Sequence, residues 1–409
     1  MPEKIPTQSA NTMNAQKPAP VPVPVRTRGR VLAKIGAIAG QNLVPIIFLA
    51  LSIGGVIAAD MNINYLINEL IGRLGRNGFL VLSLLIPIIA GLGLNFGIVV
   101  GAMAGQAALI ITTHYGWTGL GGFGLATLIS VPIAMLLGWL TALVLNRAKG
   151  REMVTGMILG FFANGVYQLI FLVLLGWAIP MNNPAMMLPS GIGLKNTVDL
   201  FDISYALDRG LDFIWNGSIM SDGINIFGLH IPIEIGPWRI PILTLVITAL
   251  LAWAISFLIR TRLGQQMRAV GQDMHIAEVA GINVNRTRTT ALVISTVLAA
   301  WGQLIFLQNI GTMNTYNSHE QVSMFAIAAL LVGGATTRKA TIWNAIVGVL
   351  LFHTLFIVSP QAGQAILGIP QVGEYFRVFL AYGVIAVALA VHAWQAKVRS
   401  NRELRGEGE

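Results

Sequence analysis

The residues of this chain that carry chemistry are amides set in apolar surroundings. Asn95, Gln106, Asn164, Gln168, Gln303 and Gln308 lie in long hydrophobic runs, and the stretches 78–113, 118–145, 153–178 and 289–309 contain no Asp, Glu, Lys or Arg. An amide offers both a donor and an acceptor without imposing charge, so such a set suits a neutral polar solute. Each amide taken singly serves equally well as glue between helices. Proton- or ion-coupled pathways place ionisable groups within the membrane, and these stretches have none. A conduit of this kind draws its energy from elsewhere.

Other chemistry is missing. No HExxH, GxSxG, phosphate-cradling GxxxxGK[ST] or dinucleotide GxGxxG occurs in a suitable context. The six histidines (114, 230, 275, 319, 353 and 392) have no metal-ligand spacing, so no metal site is expected. His353, inside an apolar run, reads as a satisfied buried histidine ahead of a proton relay. There is no cysteine, which excludes disulfides and thiolate chemistry. The chain is expected not to be an enzyme.

The elements that must position the amides follow from composition. Of 409 residues, 55% are hydrophobic and 11% charged, and the mean hydropathy is +0.71. Soluble domains average about 25% charged residues. Apolar runs at 35–59, 78–94, 96–113, 118–145, 153–178, 239–259, 289–309, 322–334, 340–358 and 374–395 predict an all-α polytopic membrane protein. About ten transmembrane or half-membrane helices are expected, including two glycine-broken pairs. The first pair meets at Gly91, Gly93 and Gly97, the second at Gly333 and Gly334. Broken helices are tolerated where their free backbone groups are buried or line a cavity. The glycines therefore either line a pathway or let helices pack closely, and the GxxxG spacing of Gly97, Gly101 and Gly105 suits packing.

The expected domain organisation is a basic, disordered cytoplasmic tail at 1–34, a transmembrane domain at 35–395 and a cytoplasmic tail at 396–409. With the N-terminus inside, 20 of the 26 Lys and Arg fall on cytoplasmic pieces. Arg73, Arg76, Lys195, Arg209, Arg239 and Arg377 are left outside. That asymmetry orients the chain. It also explains the net charge of +9, and with no basic face interleaved with aromatics, no nucleic-acid partner is expected. Segments 35–145 and 289–395 share an order of long span, broken pair, long span, as a parallel duplication would give. The external loop, 179–238, carries Asp199, Asp202, Asp208, Asp212, Asp222 and Glu234, and Val198 to Ile214 has the pattern of a surface helix. It reads as a docking surface for an external partner or, equally, as a solvated lid or plain connector.

The longest basic island between spans, 260–288, is cytoplasmic on this topology. Its centre predicts a short helix capped by Asp273, with an apolar stripe at Ile276, Val279 and Ala280 and a stop at Gly281. So short a helix needs a partner surface. A conduit without an energy source of its own needs such a handle.

Arg268-Ala-Val-Gly-Gln-Asp-Met-His-Ile-Ala-Glu-Val-Ala-Gly-Ile-Asn-Val284 closely resembles the cytoplasmic coupling segment of permease subunits of ABC importers for simple sugars and nucleosides. Ala326-Ile-Ala-Ala-Leu-Leu-Val-Gly-Gly334 resembles a second signature of that family. The likeness covers about 150–395 and, more loosely, 78–113. It departs at Lys339-Ala340-Thr341, where the family has a further Gly-Gly, and in the long external loop. Asn95-Phe-Gly97 and Glu152 to Leu159 are nearer the nucleoside branch.

The resemblance implies a bacterial inner-membrane, binding-protein-dependent permease with both termini cytoplasmic. Its implied partners are a cytoplasmic ABC ATPase, an external substrate-binding protein and a second permease, as a homodimer or a heterodimer. ATP and Mg would be bound by the ATPase subunit and no cofactor by this chain. Arg268, Gly271, Asp273, Ala277, Glu278 and Gly281 would form the ATPase-coupling surface. The cargo would be a monosaccharide or a nucleoside. The alternative function is a stand-alone channel or secondary carrier for a small neutral solute.

Overall fold

The computed structural model describes residues 43–181, 183–208, 224–226, 229–231 and 240–404. The N-terminal tail and the loop residues Arg209, Asp212, Asp222, Glu234 and Arg239 lie outside the described residues, as do 405–409.

Ten apolar helices are present among the described residues, matching the ten hydrophobic runs. They are α1 (Leu43–Ala58), α2 (Ile63–Ser83) continued by α3 (Leu85–Ile89), α4 (Ile98–His114), α5 (Gly119–Arg147) and α6 (Glu152–Leu169), the last ending in a π turn at Ile170–Leu174. After the 179–238 loop come α7 (Ile242–Arg260), two short helices α8 (Arg262–Gln272) and α9 (Met274–Val279), then α10 (Val284–Ile310), α11 (Ser318–Val332), α12 (Ile342–Leu367) and α13 (Pro370–Leu404). Six of these are long and apolar enough to cross a membrane, while α1, α4 and α11 are shorter. The fold is all-α and multi-pass.

The helix leading into the first break begins at Ile63, not near residue 78. Asn62 caps it by accepting from the Asn64 and Tyr65 amides. Arg73 and Arg76, expected in an external loop, lie within this helix. Arg73 Nε donates to Glu69 at 2.9 Å and Arg76 reaches the same carboxylate at 3.4 Å. Arg76 Nη1 also donates to Asn309 Oδ1 at 3.2 Å. Hydropathy counts three charged residues, but the helix presents a paired cluster, so the run looked too polar to be a span. Only one member of each broken pair is short, and the order reverses: long then short at α2/α3 and α4, short then long at α11 and α12. A simple parallel copy would keep one order.

Helix α10 is the centre of the bundle. Two-thirds of its apolar window is buried (67%), against 11% for α6, and it packs on α2, α3, α4 and α5. Glycine makes this possible. A Cβ at Gly101 would lie 2.6 Å from the Thr296 carbonyl oxygen, and one at Gly105 would run into the Ala300 carbonyl. The GxxxG spacing is thus a packing device between α4 and α10. Helix α6 instead exposes Val154, Ile158, Phe161 and Phe162, which lipid or another apolar surface can cover.

The described part of the 179–238 loop, expected to be external, is ordered over the helix ends. The helix expected over Val198 to Ile214 does not begin at Val198, since Thr197–Asp199 forms strand β1; residues 206–208 are helical, and 209–214 lie outside the described residues. Strand β1 pairs antiparallel with the later strand β4 (Thr312–Asn314) in the register Thr197↔Asn314, Val198↔Met313, Asp199↔Thr312. Strands β2 (Ile224–Ile226) and β3 (Leu229–Ile231) form a separate small hairpin. Val198, Leu200, Ile203 and Met313 are buried beneath β1. Gly119 N donates to Asp202 O, and Tyr205 N to Gln308 O.

Candidate functional site: an amide–histidine chain and a clamped coupling segment

Four elements bring the predicted amides towards one another. Helix α4 supplies Gln106, α6 supplies Asn164 and Gln168, α10 supplies Gln303 and Gln308, and the turn before α4 supplies Asn95. That turn is possible because Gly91 and Gly93 adopt left-handed backbone (φ +75° and +71°).

Gln106, fully buried, donates its Nε2 to the carbonyls of Asn314 (2.9 Å) and Thr315 (3.1 Å) at the end of strand β4. Its Oε1 faces His319 Nδ1 at 2.8 Å. The other ring nitrogen, Nε2, faces Asn164 Oδ1 at 3.0 Å, and Asn164 Nδ2 donates to Glu320 Oε2 at 3.0 Å. The Tyr167 ring lies 4.7 Å from the histidine ring. Gln303 Nε2 donates to Ser318 Oγ at 3.2 Å, beside this chain. Asn95 and Gln308 are buried with both ends of their amides free of protein partners, and Gln168 is half-buried.

Of the six amides, Gln106 and Asn164 thus join one continuous chain, and Gln303 is tied to its edge. The Gln308 side chain forms no such link, although its backbone carbonyl holds the 179–238 loop through Tyr205.

Sequence reasoning missed two members of this chain. His319 and Glu320 sit immediately before the apolar run at 322–334, outside the charge-free stretches. The signal was available: Ser318 opens a helix, so the next two side chains lie one turn from its membrane portion. The four stretches remain free of charged residues, but a carboxylate from outside them, Glu320, meets Asn164. His353 also departs from expectation. It is buried against Phe352, yet its Nδ1 has no partner.

At the other predicted site, the segment 261–284 is closed by caps and turns. Thr261 caps α8 through its hydroxyl. Asp273 caps α9, accepting from the amides of His275 (2.8 Å) and Ile276 (3.0 Å). The Ile276 amide, then that of His275, hold this exposed carboxyl below its ordinary value. Gly281 turns left-handed (φ +80°), and Ile282 N returns to Ala277 O at 3.0 Å. Ala277, Val270 and Val284 form a small core.

The predicted stripe faces outward: Ile276 is 67% exposed and Val279 78%. Arg268, Glu278 and Ala280 are exposed too. Ala277, by contrast, is buried in the segment's own core and offers no contact surface.

Two contacts tie this segment to the bundle. Arg288, fully buried at the foot of α10, donates to Glu152 at 2.7 Å and to Asn146 at 3.1 Å. It also lies 2.9 Å from the Met274 sulfur at the start of α9. Secondly, Gly271 packs on the first break. A Cβ at Gly91 would lie 2.8 Å from Gly271 Cα, and a Cβ at Gly271 would meet the Ile89 carbonyl. Two glycines at the crossing let backbones touch. Gly333 makes a comparable close approach to Asn344 and Gly348, and Gly334 completes that turn (φ +85°).

An amide-threaded helical bundle with an outward-facing handle is the build of a multi-pass membrane transport component. The chain belongs to the family described as branched-chain amino acid transport system / permease component, which matches residues 66–389. It is 24% identical over 315 residues to the autoinducer 2 import system permease protein LsrC of Salmonella paratyphi B, covering 76% of this chain and 74% of that one. It is 26% identical over 189 residues to the nucleoside ABC transporter permease protein NupC of Lactococcus lactis, covering 41% and 56%. A third relative, an Enterobacter LsrC, is 28% identical over 158 residues, covering 38% and 43%. The chain spans about half the length of the latter two. No solved structure matches it. Membership makes the chain a permease component of a transport system.

Proposed function

We propose that this chain is the membrane-spanning subunit of an ATP-driven importer for a small neutral polar solute, a monosaccharide or a nucleoside. ATP would be hydrolysed on a separate ABC ATPase seated on α9. An external binding protein would deliver the solute to the side covered by the 179–238 loop, and a second permease would complete the pathway. On this reading the chain sits in a bacterial inner membrane with both termini cytoplasmic.

The observation that carries the proposal is the construction of α9. Its apolar side chains, Ile276 and Val279, point away from the protein, while its opposite side packs through Ala277 on Val270 and Val284 and through Met274 on Arg288, and Gly271 of the preceding α8 packs on the first break. A six-residue helix does not persist alone in water. Here caps and clamps hold it rigid with its greasy face unpartnered, as a force-transmitting contact requires. The relatives' names as import and ABC transporter permeases agree with it.

The test is solute uptake in vesicles holding this chain, its ABC ATPase and the binding protein. Uptake that requires ATP and is lost when Ile276 and Val279 are both replaced by Asp supports the reading. Equal uptake by this chain alone without ATP would establish the channel or carrier alternative instead.

A further inference from the structure

The hydrogen-bond chain around His319 assigns proton positions. Gln106 cannot turn its amide over, because its nitrogen already serves two backbone carbonyls at 2.9 and 3.1 Å. Turning would set three oxygens against one another. Its oxygen therefore faces His319 Nδ1, and that nitrogen must carry a hydrogen.

Asn164 has two permitted orientations. In the first, its nitrogen donates to a carboxylate at Glu320 and its oxygen accepts from His319 Nε2, so both ring nitrogens are protonated. In the second, the amide is turned over. Its nitrogen then donates to a bare Nε2, and its oxygen accepts from a protonated Glu320. The first arrangement is imidazolium with carboxylate, and the second is neutral imidazole with carboxylic acid. They hold the same number of protons and the same net charge. Removing that proton leaves lone pairs opposed at one end or the other of Asn164, costliest at His319, which is fully enclosed, while Asn164 and Glu320 are half-buried.

We propose that His319 and Glu320 form a partly buried proton-binding site, with His319 enclosed and Glu320 half-buried, holding one shared proton across the Asn164 amide; on the transport reading above it borders the solute path. The ligand is a single proton. The pair stays net neutral, which reconciles a carboxylate bordering the path with passage of a neutral solute.

Among the described residues, the groups that contact the pair carry no charge. From α6 the titratable neighbour is Tyr167, packed on the histidine ring. From the turn before α11 it is Tyr316, whose hydroxyl donates to Leu194 O at 2.7 Å. Helices α4 and α10 contribute Gln106 and Gln303, which do not titrate. On its other side Glu320 borders a small recess with Phe96, Val99, Met157, Phe161 and Met324. The chain also reaches the outside of the protein. Gln106 hangs from Asn314 and Thr315, and Thr315 bonds to Lys195 and Asn196 of the 179–238 loop at 2.8 Å each. Displacing that loop frees Gln106, the one amide whose fixed orientation sets the protonation of Nδ1.

Solid-state NMR of the full-length, histidine- and glutamate-labelled chain in lipid bilayers near pH 7 tests this directly. The His319 nitrogens and the Glu320 carboxyl carbon would be assigned through residues 318–320. One proton between them, in either arrangement or in exchange between the two, with Nδ1 protonated throughout, is the expected result. A neutral ring beside an ionised Glu320, an imidazolium beside a protonated Glu320, or a ring protonated only on Nε2 would each overturn the proposal. Glu320→Gln should fix His319 as the neutral Nδ1–H form, because the introduced side-chain amide can donate to the turned Asn164. An imidazolium persisting in that variant also overturns it. None of these readouts depends on knowing the solute or on an active assembly.

Discussion

Replacing Arg288 by Met should loosen the coupling segment far more than replacing both members of its ion pair. Arg288 is fully buried and its partner Glu152 is 9% exposed. Arg288→Met leaves a carboxylate at the α6 N-terminus without its cation, and also frees Asn146 and the Leu145 carbonyl. Breaking one side of a buried pair costs about 3–5 kcal/mol. Glu152→Gln keeps an acceptor oxygen opposite the guanidinium. It should cost about 1.5–3 kcal/mol, the range for a hydrogen bond to a charged group. Arg288→Met with Glu152→Leu removes both charges and leaves an apolar contact beside Met274, so most of the loss in the single Met variant should be recovered. The assay is reversible unfolding of the purified chain in mixed micelles, with Glu152→Leu alone as the remaining corner of a double-mutant cycle and amide exchange of 272–283 reporting the segment locally. Additive losses, with a coupling energy near zero, would refute the claim that this pair pins α9 to the bundle.

Other consequences follow from the same geometry. Gly271→Val should abolish coupled transport while leaving the ATPase able to bind, because the added side chain runs into the Ile89 carbonyl; uptake and co-purification measured together check this. Gly105→Val should destabilise the bundle by at least the ~1–3 kcal/mol usual for overpacking, since the obstacle is the Ala300 backbone; the same micelle unfolding assay reads the loss. The Asp273 cap has a pH sign. Its carboxyl is held below the ordinary value chiefly by the Ile276 amide, so its contribution is complete above the unfolded value and disappears as pH falls through the folded one. Amide exchange at His275 and Ile276 should therefore rise on acidification, and Asp273→Asn, which retains an acceptor, should flatten that dependence.

Much of the fold was legible because bilayer spans announce themselves by composition. The ten runs became ten apolar helices, and the Asp273 cap, the Gly281 stop and the outward stripe at Ile276 and Val279 all appeared where local chemistry placed them. What was hidden depends on pairing. Residues 63–77 read as an external loop because Glu69, Arg73 and Arg76 count as three charges until they are seen to neutralise one another. Ala277 looked like a contact residue because a six-residue helix has two sides, and sequence does not say which one the bundle takes. His319 and Glu320 escaped because they precede an apolar run by only a few residues. Strand β1 was unpredictable locally, since its partner β4 lies more than a hundred residues away in sequence.

The central claim, that α9 is the face gripped by an ATPase, has a direct test because the chain contains no cysteine. Single cysteines introduced by Ile276→Cys, Val279→Cys and, as a buried control, Ala277→Cys can be cross-linked in membranes holding the assembled transporter. Cross-links to the ATPase at 276 and 279, changing in yield with ATP and absent at 277, are the predicted result. Cross-links absent at 276 and 279 in an assembly that still transports would contradict it.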